Sequence, residues 1–444
     1  MPFLPRLCRR SVSASLLALA ALATPLAAGR AGAAEPAYVP GTVVVGDAAG
    51  TRIVHVRPGQ VRATIAKLRR MPGVAYAAPD PIAHADAAAP LPDDPGIKGF
   101  PGGLAALQWN FYGPWGVDAL DAWGNVLARA PGARGIRIAV LDTGVAYRDL
   151  GRFRRSPDFA DTRFVAPYDF VDDTPYPVDR NGHGTHVAGT IAEETNNGVG
   201  VSGLAWGATI MPVRVLDARG YGDATTIAKG IRYAVRHGAR VINMSLEFST
   251  SVRSSEIPAI TAALRYANGK GVVVVGSSGN EGEARIAYPA RTSNVISVGA
   301  TTDDGCLADF SNDGIGLDLV APGGGDDAAL ANDPNCHPGR HGADIYQMTY
   351  TSSASRFGLP SGYDGTSMAA PHVSATAALV LASGVLGARP TPGQVECRLK
   401  LTAKALGIRT PNRIYGYGLV DAGAATSATV PTPTCLTSSA RATR

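Results

Sequence analysis

Residues 365–372 read Gly-Thr-Ser-Met-Ala-Ala-Pro-His and join a glycine-rich loop to an apolar helical run. Ser367 therefore falls at the predicted start of a helix. Unpaired backbone N–H groups and the positive end of the helix dipole favour negative charge at that place. A serine there is either a nucleophile or an ordinary N-cap residue. Only a matching base and acid elsewhere in the chain can decide between the two.

Strand and helix patterns alternate from residue 135 onward. The predicted strands cover Ile136–Leu141, Ile210–Leu216, Val241–Leu246, Val272–Val275, Val295–Val298 and Leu317–Val320. The predicted helices cover His183–Glu194, Thr225–His237, Ile257–Ala267, Ser367–Ala382 and Val395–Ala403. Apolar strands that alternate with helices predict an α/β fold, a three-layer sandwich whose mostly parallel central sheet is flanked by helices.

Reactive groups gather at the carboxyl ends of strands in such a sheet. Asp142 directly follows the first predicted strand, and Asn280 lies just beyond the strand that ends at Val275. His183 lies at the start of a predicted helix. A neutral imidazole can take the proton of a serine, a carboxylate can orient the imidazole, and an amide can bind the oxyanion. Each residue alone is an ordinary turn or helix-start residue, but together they supply the groups for acyl transfer.

Five motifs occur in a fixed order, at residues 140–144 (VLDTG), 182–189 (GHGTHVAG), 243–246 (NMSL), 278–280 (SGN) and 365–372. From Gln108 to Ala425 the chain resembles the subtilisin-like serine proteases (subtilases). The resemblance implies four catalytic residues: Asp142 as orienting acid, His183 as general base, Ser367 as nucleophile and Asn280 as oxyanion donor. It also implies a monomeric endopeptidase that hydrolyses peptide bonds in proteins through an acyl-enzyme, without a cofactor for catalysis.

The resemblance further implies a substrate cleft. Its residues are Ser245, Leu246 and Glu247 on one side, Ser277, Ser278 and Gly279 on the other, and Ala287 at the floor of the first specificity pocket. The chain departs from the usual pattern at Glu247, where glycine is common. We hypothesise that Glu247 favours a basic substrate side chain, and a solvated carboxylate on the rim is the alternative. Asp364 stands near the nucleophile where serine is frequent, and its effect is an open question.

A structural calcium ion is the metal that the resemblance implies. Asp149, Asn197 and the backbone carbonyls of Val199 and Val201 match its positions, and oxygen donors suit this ion. Three further carboxylates could form another site, although an acidic surface loop is the simpler interpretation: Asp172, Asp173 and Asp179.

His186 follows His183 by three residues, whereas zinc proteases have histidines four apart with an intervening glutamate. By resemblance His186 is a structural helix residue.

The amino terminus predicts export. Three arginines precede the apolar run Ala14–Ala23, and small residues follow through Ala34, so residues 1–34 read as a secretory signal peptide. We expect an extracellular protein, with the periplasm as the alternative location. Residues 1–86 hold ten of the 41 basic and four of the 36 acidic residues, which leaves 31 and 32 in the remainder. This balance gives no reason to expect a nucleic acid or a membrane as partner.

Residues 35–86 predict a small α+β module with strands at Thr42–Val45 and Arg52–Val56 and a helix that places Val61, Ile65 and Leu68 on one face. The resemblance implies an inhibitory, chaperone-like propeptide, and a binding module is the alternative. Residues 87–107 are expected to form the processing linker and the mature amino terminus. The autocatalytic cut is predicted within an exposed Ala83–Asp94 segment. The catalytic domain covers 108–425 and a tail covers 426–444.

Export to an oxidising compartment allows the cysteines to form disulfide bonds. Four remain after the signal peptide, namely Cys306, Cys336, Cys397 and Cys435, and they allow three pairings. We predict the nearest-neighbour pairing, Cys306 with Cys336 and Cys397 with Cys435, because each bond closes a modest loop. No two are spaced as in common zinc motifs.

Three other functions are alternatives. A catalytically silent subtilase used for binding conflicts with the four filled catalytic positions. A peptide ligase or macrocyclase would use the same acyl-enzyme, but no sequence feature favours an amine over water. A carboxyl-type serine peptidase shares the Gly-Thr-Ser motif but lacks the pairing of Asp142 with the Gly-His-Gly-Thr-His segment.

Overall fold

A computed structural model describes residues 38–81, 91–96, 103–127 and 129–431. The chain divides into two compact units, Met1–Ala87 and Ala88–Arg444. The predicted signal peptide, residues 1–34, lies outside the described residues. In the part of the chain that the structure describes, every helix is too short or too polar to cross a membrane.

The first unit is a three-stranded antiparallel sheet with one helix. Its elements are β1 (Tyr38–Asp47), β2 (Gly50–His55), α1 (Val61–Leu68) and β3 (Val74–Pro81), and the strand order is β2-β1-β3. Val43 and Val45, two residues apart in β1, are buried together with Ile65 and Leu68 of α1. The helical face predicted from the sequence therefore packs against alternate residues of the central strand.

A seven-stranded parallel sheet forms the centre of the second unit. Its strands are β4 (Arg137–Asp142), β5 (Tyr168–Asp169), β6 (Thr209–Arg214), β7 (Val241–Met244), β8 (Val273–Ser277), β9 (Ile296–Thr301) and β10 (Leu319–Pro322). The order across the sheet is β10-β9-β8-β7-β4-β6-β5. The chain leaves β4 on one side and returns to β7 on the other, so the strand order reverses beside β4. Binding and catalytic sites of open α/β sheets occur at such a reversal.

Helices cover both faces of this sheet. They are α2 (Gly103–Leu107), α3 (Trp109–Tyr112), α4 (Ala119–Leu127), α5 (His183–Ala192), α6 (Ala224–Arg236), α7 (Pro258–Gly269), α8 (Thr366–Ser383), α9 (Pro392–Thr402) and α10 (Ala422–Thr426). Ile138 and Val140 of β4 pack in the core that contains α5 and α8, whereas Ala139 and Leu141 pack in the core that contains α6 and α7. The predicted three-layer sandwich is confirmed. A short hairpin, β11 (Thr349–Ser353) and β12 (Arg356–Gly358), was not predicted.

Two histidines lie fully buried in the helical layer that contains α5 and α8. His186 donates from Nε2 to the carbonyl of Ile345 at 2.9 Å and stacks on Tyr363 with ring centroids 4.2 Å apart. His372 donates from Nδ1 to the carbonyl of Met368 at 2.9 Å. Burial lowers the pKa of His186 to about 3 and that of His372 to about 4. Both imidazoles are therefore neutral near pH 7.

The described part of the predicted linker, residues 91–94, alternates between exposed and buried residues. Asp94 is only 3% exposed. Its carboxylate accepts the backbone N–H groups of Asn196 and Asn197 and the hydroxyl of Ser202. A single carboxylate thus accepts hydrogen bonds from three donors in one loop of the second unit. These bonds hold Asp94 in place although the surrounding composition of Ala, Pro and Asp is typical of a loop. Residues 82–90, where the rest of the predicted linker lies, are outside the described residues.

The first residues of the predicted carboxyl-terminal tail contact a buried arginine. Arg398 is fully buried, and its guanidinium donates to the backbone carbonyls of Ala424, Ala425, Ser427, Val430 and Pro431. Residues up to 431 therefore belong to the fold. Burial lowers the pKa of Arg398, and five carbonyl acceptors compensate the buried charge.

The predicted disulfide between Cys306 and Cys336 is present. Cys397 is also disulfide-bonded. Its predicted partner, Cys435, lies outside the described residues.

Candidate active site

Asp142 and His183 are paired in the structure. Asp142 is the last residue of β4 and is fully buried. Its Oδ1 lies 2.7 Å from Nδ1 of His183 and also accepts the backbone N–H of Thr143 at 2.7 Å. Because a carboxylate oxygen only accepts hydrogen bonds, the proton of this pair sits on Nδ1. Nε2 of His183 is then left with a lone pair and can act as a base.

The pKa of His183 reflects opposing effects. Burial lowers it, whereas the charge and the hydrogen bond of Asp142 raise it, and a smaller contribution from Asp179 also raises it. The net result is a pKa above the ordinary value for histidine. The side chain of His183 is 26% exposed, so one side of the ring faces solvent. This exposure leaves the base accessible to a substrate.

Glycines make room for the pairing. His183 is the first residue of α5, and Gly182 before it has a φ of +110°, a conformation that favours glycine. A Cβ atom at Gly184 would lie 3.0 Å from Oδ1 of Asp142 and would collide with the carbonyl oxygen of Gly144. The start of α5 can approach the end of β4 only because residue 184 has no side chain.

Ser367 is the second residue of α8 and is partly exposed. Its Oγ donates to the carbonyl of Ser245 at 3.4 Å, and Oγ of Ser245 donates to the carbonyl of Ser367 at 2.7 Å. These two bonds join the segment after β7 to the start of α8. Within the described residues, the hydroxyl of Ser367 has no hydrogen bond to His183. Such contacts are often long without substrate and shorten only in the complex.

Asn280 lies beside the start of α8. Its Oδ1 accepts the backbone N–H of Thr366 at 2.8 Å and the Thr366 hydroxyl at 2.9 Å. The Nδ2 amide group of the same side chain therefore points away from Thr366. A Cβ atom at Gly365 would lie 3.6 Å from both Oδ1 of Asn280 and N of Ser367, and 3.9 Å from Nδ2 of Asn280. The Asn280 side chain and the backbone N–H of Ser367 are therefore neighbours at the start of α8.

The segments predicted to form the substrate cleft lie together. Oγ of Ser277, at the end of β8, donates to the carbonyl of Leu246 at 3.3 Å. The backbone N–H of Ala287, a fully buried residue, donates to the carbonyl of Ser278 at 2.7 Å. Gly279 follows directly, and its N–H donates to Oγ1 of Thr366 at 3.3 Å. The two predicted sides of the cleft thus meet next to the helix that carries Ser367.

Glu247 is partly buried at this place. Its Oε2 is shielded from solvent and has no hydrogen-bond partner among the described residues. Burial raises the pKa of Glu247 to about 7, and the nearby charge of Glu281 adds to the effect. One oxygen of this carboxylate is thus shielded, while the residue as a whole is partly exposed.

Asp364 is exposed, and its pKa is raised by partial desolvation and by the charge of Asp344. The groups that shift the pKa of His183 are Asp142 and Asp179. Asp364 is therefore not one of the charges that set the basicity of His183.

The predicted calcium ligands are brought together only in part. Asp149 is exposed, and its Oδ1 accepts the N–H of Arg155 at 2.8 Å. The carboxylate beside Asn197 and Val201 is instead Asp158, which is fully buried and accepts Nδ2–H of Asn197 at 2.9 Å and the N–H of Val201 at 3.1 Å. The resemblance assigned this place to Asp149, whereas the structure has Asp158 in contact with Asn197 and Val201. The segment after β4 turns back and brings Asp158 to the loop.

The chemistry of this group suits a cation. Burial raises the pKa of Asp158 to about 8, and the charges of Asp94 and Glu194 contribute in the same direction. Glu193, also fully buried, has its pKa raised well above the ordinary value, and its Oε2 has no hydrogen-bond partner among the described residues. Hard oxygen donors in an acidic setting fit calcium.

Among the described residues, protein groups already contact the carboxylates of the other acidic loop. Asp172 pairs with Arg214 at 3.0 Å and also with Arg180 at 2.5 Å, and Asp173 accepts the hydroxyl of Tyr168 at 2.6 Å. Asp179 accepts backbone and hydroxyl donors.

One potential metal-binding group was missed by the sequence reasoning, because its members are far apart in the chain. Ligand atoms of Asp304, Asp327 and His337 lie within 4.8 Å of one another. Arg340 already forms an ion pair with Asp304.

The fold and the site define a class of protein. The features of a serine hydrolase are present at the carboxyl edge of a parallel sheet: a paired aspartate and histidine, and a serine at a helix start beside an asparagine. The sequence profile of the subtilase family matches residues 133–418. The chain belongs to the subtilase family and is a subtilisin-like serine endopeptidase. Members of this family need no cofactor for catalysis.

Individual relatives support the assignment to the subtilase family. The chain is 38% identical over 317 residues to subtilisin Savinase of Lederbergia lenta, covering 70% of this chain and 98% of that protein. It is 35% identical over 366 residues to a thermophilic serine proteinase of Bacillus sp. strain AK1, covering 82% and 76%. Among solved structures, a protease of Pseudoalteromonas arctica PAMC 21717 matches with a TM-score of 0.59 and 30% identity, over 76% of this chain and 99% of that one.

Proposed function

We propose that the chain is an exported endopeptidase, made as an autoprocessed preproprotein, that cleaves proteins through an acyl-enzyme on Ser367. The 2.7 Å contact between Nδ1 of His183 and the buried carboxylate of Asp142 carries the proposal. It fixes the tautomer in which Nε2 is the base. Export is supported by the signal-like residues 1–34 and by the extracellular role that the family resemblance implies.

Acylation begins with a proton transfer. The hydroxyl of Ser367 leaves the carbonyl of Ser245 and gives its proton to Nε2 of His183 while Oγ attacks the substrate carbonyl. The imidazolium is stabilised by Asp142, and the oxyanion accepts hydrogen bonds from N of Ser367 and Nδ2 of Asn280. The proton on Nε2 then passes to the leaving amine as the C–N bond breaks.

Deacylation repeats these steps with water. Nε2 of His183 takes a proton from water as its oxygen attacks the ester carbonyl, and the same donors bind the second oxyanion. The ester C–O bond breaks, Oγ of Ser367 regains the proton, and a carboxylic acid product leaves.

Maturation requires a cut between the two units. The anchoring of Asp94 in the loop of Asn196, Asn197 and Ser202 argues that the cut lies upstream of Leu91, within residues 83–90. We assign the role of intramolecular inhibitor and folding aid to residues 35–86. A small core, with five buried apolar residues among those the structure describes, suits a unit that is not required to be stable alone.

Substrate binding is assigned to the cleft segments 245–247 and 277–279, with Ala287 at the floor of the first pocket. Backbone groups there would pair with an extended peptide as an added strand. The shielded carboxylate of Glu247 favours a substrate with a basic side chain at this pocket.

Calcium is assigned a structural role at Asp158. With Asn197 and the carbonyls of Val199 and Val201, its carboxylate would hold the ion, which would neutralise the acidic group formed with Asp94 and Glu193.

The substitution Ser367→Ala tests the proposed mechanism. We expect loss of both propeptide removal and casein hydrolysis, with the far-UV circular dichroism unchanged. The control is Ser352→Ala, an exposed serine in β11, which should behave as wild type. Equal processing and hydrolysis in Ser367→Ala and wild type would refute the role of this serine.

A further inference from the structure

Asp179 is a fully buried carboxylate that lies between the two halves of the Asp142–His183 pair. Its Oδ1 accepts the hydroxyl of Thr143 at 2.9 Å and the N–H groups of Asn181 and Gly182 at 2.9 and 3.0 Å. Its Oδ2 accepts the N–H and the hydroxyl of Thr185 at 2.9 and 2.6 Å. Five donors thus satisfy a buried carboxylate that, among the described residues, has no ion pair.

These donors come from both sides of the catalytic pair. Thr143 directly follows Asp142, whereas Gly182 and Thr185 flank His183 at the start of α5. Thr143 forms a second link, because its Oγ1 also accepts the N–H of Gly184 at 3.0 Å. One carboxylate and one hydroxyl therefore connect the end of β4 to the residues on either side of His183.

The backbone around this connection leaves little freedom for movement. A Cβ atom at Gly144 would lie 2.7 Å from the carbonyl oxygen of Pro177 and 2.9 Å from N of Asp179. The N–H of Val145 donates to the carbonyl of Pro177 at 3.0 Å. The loop after Asp142 is thus packed directly on the chain that carries Asp179.

We propose that Asp179 and Thr143 are positioning residues, which hold the imidazole of His183 at hydrogen-bonding distance from Asp142 and aim Nε2 toward the nucleophile. The proposal rests on the proposed function. Neither residue touches the reacting atoms. A purely structural role for Asp179, as a cap on α5, is the competing explanation.

The two explanations differ in what they predict for kcat, because the charge of Asp179 acts on the ionisation of His183 under either one. The charged or titratable groups around the ring are Asp142 and Asp179, with His186, Tyr350 and Tyr363 on the packed elements nearby. Asp179 raises the pKa of His183, so its removal should lower that pKa. A carboxylate that only stabilises the helix would change the melting temperature, and loss of its charge would still move the acid limb of the pH–rate profile, but the plateau value of kcat would not fall.

The first test is Asp179→Asn in the full chain. Using a short chromogenic peptide, kcat and KM are measured from about pH 5 to pH 10, and the imidazole signal of His183 is followed by NMR. We expect a fall in kcat of roughly 10- to 100-fold with little change in KM, since small misplacements of a base have effects of this size. We also expect the acid limb of the profile to move to lower pH.

The second test avoids reliance on a variant that could fail to fold. Thr143→Val keeps the shape of the side chain and removes the hydroxyl, whereas Thr143→Ser keeps the hydroxyl. We expect kcat to fall in the valine variant and to be largely restored in the serine variant, with similar melting temperatures.

Two results would overturn the positioning role. One is a wild-type plateau value of kcat in Asp179→Asn, whether or not the acid limb moves. The other is equal kcat in the valine and serine variants. Retained activity in Ser367→Ala would instead contradict the proposed function itself, so the two failures are distinguishable.

Discussion

The substitution Glu247→Gln tests whether this carboxylate selects the substrate. Oε2 of Glu247 is shielded and, within the described residues, unpaired. Burial and the neighbouring Glu281 raise the pKa of Glu247 to about 7. Glutamine keeps the shape of the side chain and removes the charge, so a change in cleavage preference reports on the charge alone.

The expected magnitude follows from the partial burial of the site. Two unit charges 4 Å apart interact by about 4 kcal/mol at an effective dielectric constant of about 20. Exposed ion pairs contribute only about 0.2–1 kcal/mol, and desolvation reduces the larger figure. Because Glu247 lies between these limits, we expect about 1.4 kcal/mol, roughly a tenfold preference for arginine over leucine at the first specificity position.

The preference should depend on pH with a defined sign. A carboxyl group with a pKa of about 7 is neutral below that pH and charged above it. The wild-type preference for arginine should therefore rise between about pH 6 and pH 8. The glutamine variant should show no such rise.

The assay compares kcat/KM for peptides that differ only in Arg or Leu before the scissile bond. Glu283→Gln, an exposed carboxylate in the same loop as Glu281, is the matched control and should keep the wild-type ratio. If the Arg-to-Leu ratio and its pH dependence are the same in Glu247→Gln and wild type, Glu247 does not select the substrate.

Three further outcomes are expected. Asn280→Leu should lower kcat by roughly 10²- to 10³-fold with little change in KM, a magnitude taken from subtilisin itself and not worked from this structure. The free energy of unfolding should fall by on the order of a few kcal/mol as the pH drops from about 6.5 toward 4, because His186 and His372 take up protons in the unfolded chain at a higher pH than in the folded chain. Urea titrations at several pH values measure this fall, and His372→Gln should make it smaller. Calcium should raise the melting temperature of wild type above its value in a chelator and leave Asp158→Ala unchanged; equal shifts in both would exclude Asp158 as a ligand.

The elements that carry the catalytic groups could be predicted because their signals are local. Apolar runs ending at Asp142 and before Asn280 identified the strands, and the loop-to-helix change at Ser367 identified the start of α8. Strand β5, with only two residues, and the polar hairpin β11–β12 have no comparable periodic signal. Their positions depend on pairing with distant segments.

The site residues that were missed or misassigned depend on long-range contacts. Asp158 meets Asn197 and Val201 across 39 and 43 residues, and no local pattern distinguishes it from Asp149. Asp179 was assigned to an acidic surface loop, but the hydroxyl of Thr143, 36 residues earlier, is one of its donors. In both cases the fold buries an aspartate, and no local pattern in the sequence predicts that burial.

The buried guanidinium of Arg398 has a practical consequence for handling this protein. Its five acceptors are backbone carbonyls of residues 424–431, so they do not depend on the identity of those side chains. Point substitutions in that segment are tolerable in principle, whereas removal of the segment leaves a cation in the interior without acceptors. A protein shortened at residue 426 is therefore expected to be recovered mainly as aggregate.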